Sequence, residues 1–239
     1  MKKSSDNIKK SLVHKDNTLK AIFLLATLKS SKEFSHTETL CKLLISKLEA
    51  LGVQSEIVWL ADHTIRPGIE TVLSKSDAWP KILKRVLKSD IVIFATPIWW
   101  GIQSSLMQRV IERMDALNDE LLETGKSEFS GKVGGIVITG AEDGTQHVTG
   151  NLLNFLIWNG FTIPPASALS WQGDASADTE ESLLKKLSKQ KSTSAMARTM
   201  ARNLVFFARL LKQHSIPHEK EGISGSLAEG TVGFGGDAK

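Results

Sequence analysis

The sequence predicts an α/β domain in which a parallel, doubly wound sheet is covered by helices on both faces. Three apolar runs, AIFLLA (Ala21–Ala26), IVIFA (Ile91–Ala95) and VGGIVI (Val133–Ile138), are too short for helices and read as buried strands. Helical spacing lies between them, first at Leu40, Leu44, Leu48 and Leu51, later at Leu106, Val110, Met114 and Leu117. Each run ends in a loop of small polar residues, and strands alternating with helices at this spacing make a sheet wound from both sides.

Gln54–Leu60 supplies a further strand after the helix stop at Leu51-Gly52. Asn151–Trp158 closes another helix, and Phe161–Ile163, ahead of Pro164-Pro165, reads as the last strand of five. Glu180 to Lys212 is a charged helical region with an apolar stripe of Met196, Met200, Leu204, Phe207 and Leu211, expected to pack on the domain or on a partner subunit. Three segments follow: a flexible basic arm over 1–18, one folded domain over 19–215 that includes the helical extension, and a flexible glycine-rich tail over 216–239.

Hydrophobic residues are 41% and charged residues 23% of the 239, ordinary globular usage. A single cysteine, Cys41, excludes an internal disulfide and argues against a cysteine-ligated metal or iron–sulfur centre; no metal site is expected. No apolar run reaches the roughly 18 residues of a membrane span, and the first residues lack a signal-peptide core, so a cytoplasmic protein is expected. The formal net charge of +4 is modest and accompanies no nucleic-acid motif, so nucleic acid is not an expected partner.

In an open parallel sheet ligands bind beyond the carboxyl ends of the strands, which directs attention to three loops. The first, from Thr27 to Thr37, is rich in hydroxyls, runs straight into a helix and holds no glycine. That excludes the GxGxxG and GxxxxGK[ST] fingerprints, but hydroxyls and amides at a helix N-terminus still suit a phosphate. The second, Thr96-Pro97-Ile98-Trp99-Trp100-Gly101, sets two indoles at a strand end, where a flat conjugated ring would cover them. The third, Thr139-Gly140-Ala141-Glu142-Asp143-Gly144, has two glycines that permit close approach to a ligand.

TPIWWG-x-x-S-S-L-M-x-x-x-I-E-R resembles the segment P-x-Y-x-x-x-x-x-x-L-K-x-x-I-D-R of the flavodoxin-like NADPH-dependent FMN reductases. The first loop is similar to their S-x-R-x-x-S-N-T phosphate loop and the third to their G-x-E-x-G stretch, and the resemblance runs from about Lys20 to Leu169. It implies a flavodoxin-like three-layer sandwich with strand order 2-1-3-4-5. It further implies FMN as cofactor, NADPH or NADH as electron donor, a small-molecule acceptor such as a quinone, free flavin or nitro compound, and a homo-oligomer. Thr27, Lys29, Ser35, His36 and Thr37 would then hold the phosphate, with Thr96 to Gly101 and Thr139 to Gly144 around the isoalloxazine.

Lys29 stands where the family has arginine, His36 where it has asparagine and Trp99 where it has tyrosine, so the phosphate meets a point charge instead of a fork. Hydride transfer through a flavin needs no protein acid, and no catalytic residue is assigned. His147 is balanced between assisting proton transfer and lying on a helix surface; Cys41 reads as a small core residue. Two other readings stay open: a flavodoxin-type carrier of single electrons, and a binding protein that kept the fold and lost the flavin.

Overall fold

The computed structural model describes residues 18–141, 143–173 and 179–217. The arm expected over 1–18 (except Thr18), Glu142, and the tail expected over 216–239 (except Ile216 and Pro217) lie outside the described residues.

In chain order the elements are β1 (Leu19–Leu25), α1 (His36–Glu49), β2 (Val53–Trp59), α2 (Trp79–Leu87), β3 (Ile91–Trp99), β4 (Ile102–Gln103), α3 (Ser105–Met114) and α4 (Asn118–Thr124). They continue as β5 (Val133–Gly140), α5 (Thr145–Trp158), β6 (Ala168–Gln172), α6 (Glu180–Lys189) and α7 (Lys191–Gln213). Five strands form a parallel sheet in the order β2-β1-β3-β5-β6. This is the expected flavodoxin-like order, with the two-residue β4 added antiparallel to the end of β3. Order reverses about β1, so the crevice beyond the ends of β1 and β3 is where such a sheet accepts a ligand.

The apolar runs are continuous because both faces of the sheet are covered. Ala21, Phe23 and Leu25 of β1, with Ile91 and Ile93 of β3, pack into one core beneath α1, α6 and α7. Ile22 and Leu24, with Val92 and Phe94, pack into the other beneath α2, α3 and α5. Successive strand residues thus serve opposite layers, as the period of two requires. At Gly135 a side chain would press within 2.8 Å of Met200 and Ile93, so the bare backbone lets α7 lie close on β5. The helical extension therefore completes the α1-side layer of the domain. It breaks at Gln190, and its inward face is Ala197, Met200, Ala201, Leu204, Val205 and Ala208, while Met196 of the expected stripe is exposed.

Phe161–Ile163 is not the last strand. Thr162 makes one isolated bridge to Val133, and Phe161 turns into the core to stack on Phe129 at 4.6 Å. Pro164-Pro165 offers no backbone donors for a ladder, and the true edge strand is β6, five residues further on.

Candidate functional site

Ser35 starts α1. With extended backbone (φ −127°), its Oγ accepts the amide of Glu38 at 3.3 Å, so the cap serves the third amide of the helix and the first turn opens toward the loop. The preceding loop is closed on itself by Glu33, which accepts the amide and hydroxyl of Ser30, each at 2.9 Å. These bonds hold the Glu33 carboxyl below its ordinary pKa. Asp62, in the short helical turn after β2, accepts the Ser31 amide and is lowered by its hydrogen bonds with Ser31. Lys29 Nζ donates to the Phe34 carbonyl at 2.8 Å, which fixes the loop's cation beside the helix start.

A cavity of about 310 Å³ opens above this helix start, between the ends of β1, β3, β5 and β6. Its polar end is made by Thr27, Lys29, Ser35, His36 and Thr37, all five of the residues expected at a phosphate, joined by Leu28. Pro97, Ile98 and Trp99 form one side wall; Thr139, Gly140 and Ala141 form another. The polar end is tied to the second of these walls by the hydroxyls of Thr37 and Thr139, 2.6 Å apart, in two buried residues. Trp99, an indole on a cavity wall, is about half exposed (48%).

Several expected residues stand outside the lining. Thr96 is fully buried beneath the second loop, its Oγ1 donating to the Pro97 carbonyl at 2.9 Å and accepting the Ser104 amide at 3.0 Å, which pins the start of α3. Trp100 and Gly101 are the tip of a β3–β4 hairpin, both in the left-handed region (φ 51° and 80°). Gly144 (φ 129°) abuts that tip, since a Cβ there would stand 2.7 Å from Gly101 Cα. Asp143 points back to the Gly144 amide at 2.7 Å. His147 lies exposed in the first turn of α5, outside the cavity lining, and Cys41 is buried in the core, where desolvation pushes its thiol far above the ordinary range.

The structure adds a fourth wall that the three-loop reading lacks. Trp171, at the end of β6, lines the cavity with Gly173 and stacks against His36 (5.9 Å between centroids, 12° between planes). His36 in turn meets Phe34 at 4.8 Å, so an aromatic file runs behind the helix start. The alternation of Leu169 and Trp171 ahead of Gly173 was the available signal; it resembles the strand-then-glycine pattern of the third loop.

The arginine of the I-E-R segment has a different task. Arg113 is fully buried and donates to the carbonyls of Arg66, Glu70 and Thr71 and, at 2.7 Å, to the Asp77 carboxylate. Its guanidinium gathers the long β2–α2 connection, a chain segment that would otherwise bury unsatisfied carbonyls. Burial pushes the Asp77 carboxyl up, but the hydrogen bonds from Arg113, Trp79 and Leu73 outweigh it and leave its pKa below the usual value.

The donor set at the polar end, hydroxyls at a helix N-terminus and one cation, suits a phosphate monoester; the Trp99, Ile98 and Ala141 walls suit a flat ring. The residues present therefore fit FMN. Among the described residues there is no cluster of three or more side chains fit to hold a metal ion, and no helix is long and apolar enough to cross a membrane.

Among known proteins, the chain is 29% identical over 204 residues to an 8-demethyl-8-aminoriboflavin-5'-phosphate synthase of Streptomyces davaonensis, covering 82% of this chain and 79% of that protein. The crystal structure of RosB with bound 8-demethyl-8-formylriboflavin-5'-phosphate superposes with a TM-score of 0.74 at 26% identity, over 93% of this chain and 91% of that one. A flavone reductase superposes with a TM-score of 0.56 at 15% identity, over 83% and 65%, which speaks for the fold alone. A Mycobacterium bovis protein named as a divalent metal cation transporter, MntH, is 40% identical over 161 residues, but the match spans 66% of this chain and only 24% of that protein. The family model described as NADPH-dependent FMN reductase matches residues 22–175. With that match over more than half its length, on a flavodoxin-like sheet, the chain belongs to the NADPH-dependent FMN reductase family of flavin oxidoreductases.

Proposed function

We propose that the protein is an NAD(P)H-dependent FMN oxidoreductase, taking a hydride from NADPH or NADH onto FMN and delivering the electrons to a small acceptor such as a quinone, a free flavin or a nitro compound. The carrying observation is one cavity that joins a hydroxyl-lined helix start with its lysine to a half-exposed indole, at the switch point of the sheet. The overall balance is NAD(P)H + H⁺ + A giving NAD(P)⁺ + AH₂. Bound FMN supplies the hydride chemistry. The chain's part is to hold the phosphate with Lys29, Thr37 and the first amides of α1, to set the ring against Trp99, and to keep water from one ring face with Ile98 and Ala141. Protein purified with FMN should show flavin absorption bands and lose them when NADPH or NADH is added without oxygen. Protein that does not retain FMN in dialysis would end this reading.

A second reading is favoured by two relatives whose names place riboflavin phosphates as the material made or bound. In it, FMN is substrate instead of resident cofactor. Mass analysis of the flavin released after turnover separates the two, since a cofactor leaves with its mass unchanged.

A further inference from the structure

Helix α7 has an outward face that the packing of the domain does not use. Its inner residues lie on the sheet, while Phe206 (63% exposed), Leu210 (41%) and Met196 (40%) stand along the opposite flank. The Phe206 ring meets Phe207 edge-on at 5.4 Å, a neighbour on the same helix, so that contact joins no second element. Beside Phe206 and Leu210 a groove of about 340 Å³ reaches Leu51, just past the end of α1.

The charge of the helix is equally one-sided. Lys191–Gln213 carries Lys191, Arg198, Arg202, Arg209 and Lys212 and no aspartate or glutamate. Arg198, Arg202 and Arg209 lie exposed next to the apolar flank. Arg198 donates to Ser194 Oγ at 2.9 Å and Arg209 to the Leu51 carbonyl at 3.0 Å, neutral acceptors that leave both charges uncompensated. Lys212 lies 3.4 Å from the Asp90 carboxylate and also reaches the Thr18 carbonyl, so the chain ahead of Thr18 joins the domain at the basic end of α7. Residues 1–17 hold five lysines against two aspartates, and charge of the same sign therefore continues from that end.

Three kinds of surface could cover this face, and the residues choose among them. Nucleic acid would meet the cations but has no use for an exposed Phe206, Leu210 and Met196. A second copy across a two-fold axis would set Arg202 and Arg209 against the same residues, with no carboxylate on the helix to meet them. An anionic bilayer takes both kinds of side chain, since its phosphates attract arginine and its headgroup–acyl boundary accepts aromatic and aliphatic groups.

We infer that the outward face of α7 is a docking surface for an anionic phospholipid bilayer, with Phe206 and Leu210 entering the headgroup boundary and Arg198, Arg202 and Arg209 on the phosphates. The cavity lining includes no residue of α7, so docking leaves the cavity untouched and the inference does not depend on what the cavity holds.

The test sediments the full chain with vesicles of phosphatidylcholine containing about 30% phosphatidylglycerol, and with phosphatidylcholine vesicles alone, at about 50 and about 300 mM salt. At low salt, partition into the anionic vesicles should exceed that into the neutral ones by about tenfold or more, and it should fall steeply at high salt. Arg198→Gln combined with Arg202→Gln should weaken it by about tenfold, because each cation near such a surface strengthens attachment roughly fivefold. Phe206→Gln should weaken it by about fivefold or more, whereas Phe206→Trp, which keeps an interfacial aromatic, should bind as wild type does. All these side chains are exposed, so each variant should melt within about 2 °C of wild type. Equal partition of wild type into neutral and anionic vesicles, or partition unchanged in both glutamine variants, would overturn the docking surface. A DNA duplex bound more tightly than the vesicles and indifferent to Phe206→Gln would overturn it in favour of nucleic acid. A dimer in sedimentation velocity without vesicles that Phe206→Gln dissociates would overturn it in favour of a second copy.

Discussion

Thr37→Val tests the phosphate end of the cavity most cleanly. Valine keeps the β-branched shape at the second residue of α1 and deletes only Oγ1. In the free protein that atom is bound to Thr139 Oγ1 at 2.6 Å, with both residues nearly buried. Losing this neutral bond costs about 1 kcal/mol, which for a domain of this size lowers Tm by about 2–4 °C. That loss is common to every ligand state. A hydrogen bond to a charged phosphate is worth about 1.5–3 kcal/mol, so FMN affinity should fall by roughly tenfold to 150-fold beyond any change for riboflavin, which has the same ring and no phosphate. Ser35→Ala is a poorer probe, because its Oγ already caps the Glu38 amide and its loss adds about 1 kcal/mol of helix destabilisation. Titrating wild type and Thr37→Val with FMN and with riboflavin, read by flavin fluorescence, supplies the comparison. Equal losses for the two ligands would show that the change acts on the ring site or on the fold, and the phosphate assignment would have to be dropped.

Arg113→Met should destabilise by about 3–5 kcal/mol at neutral pH, since it strands a fully buried carboxylate. Because the folded Asp77 pKa is depressed, its contribution in wild type is present above the unfolded value near 4 and is lost as pH falls through the folded value. Without Arg113 burial dominates and raises that pKa, so the gap in Tm between variant and wild type should narrow from pH 7.5 to pH 5; a gap independent of pH would remove Asp77 from the explanation. Gly144→Ala sets a Cβ 2.7 Å from Gly101 Cα at a φ of 129°, and about 1–3 kcal/mol of strain should appear in denaturant melts together with a changed Trp emission. Melts that overlay wild type would mean the hairpin tip is free to move.

The strands of the inner sheet were legible because double-sided burial forces uninterrupted apolar runs, and AIFLLA, IVIFA and VGGIVI have no other use. β6 was not, since an edge strand shows one covered face and only Leu169 and Trp171 to mark it, while Phe161 and Ile163 are as apolar and serve side-chain packing instead. α2 escaped for a related reason: its apolar residues follow a long polar connection that takes its shape from Arg113, 34 residues after Trp79, whose Nε1 donates to the Arg113 carbonyl. At the site, the phosphate loop could be read because hydroxyls, a cap and a helix start are local. The separation of Trp99 from Trp100 could not, because it is decided by a hairpin turn whose left-handed tip carries no glycine at its first position. Trp171 belongs to the same class: its place in the cavity depends on β6 pairing with β5, a contact across some thirty residues of sequence.

The cavity draws on residues from Thr27 to Gly173. During synthesis the helix start and its lysine emerge before the other walls, and the pocket's fourth side stays open until β6 has left the ribosome and paired with β5. A nascent chain therefore carries a three-sided cleft until that strand pairs, and ligand loading reports completion of the sheet. Any truncation ahead of Ala168 would yield a chain with most of its apolar strands intact and the edge of β5 bare, a species suited to aggregation more than to binding.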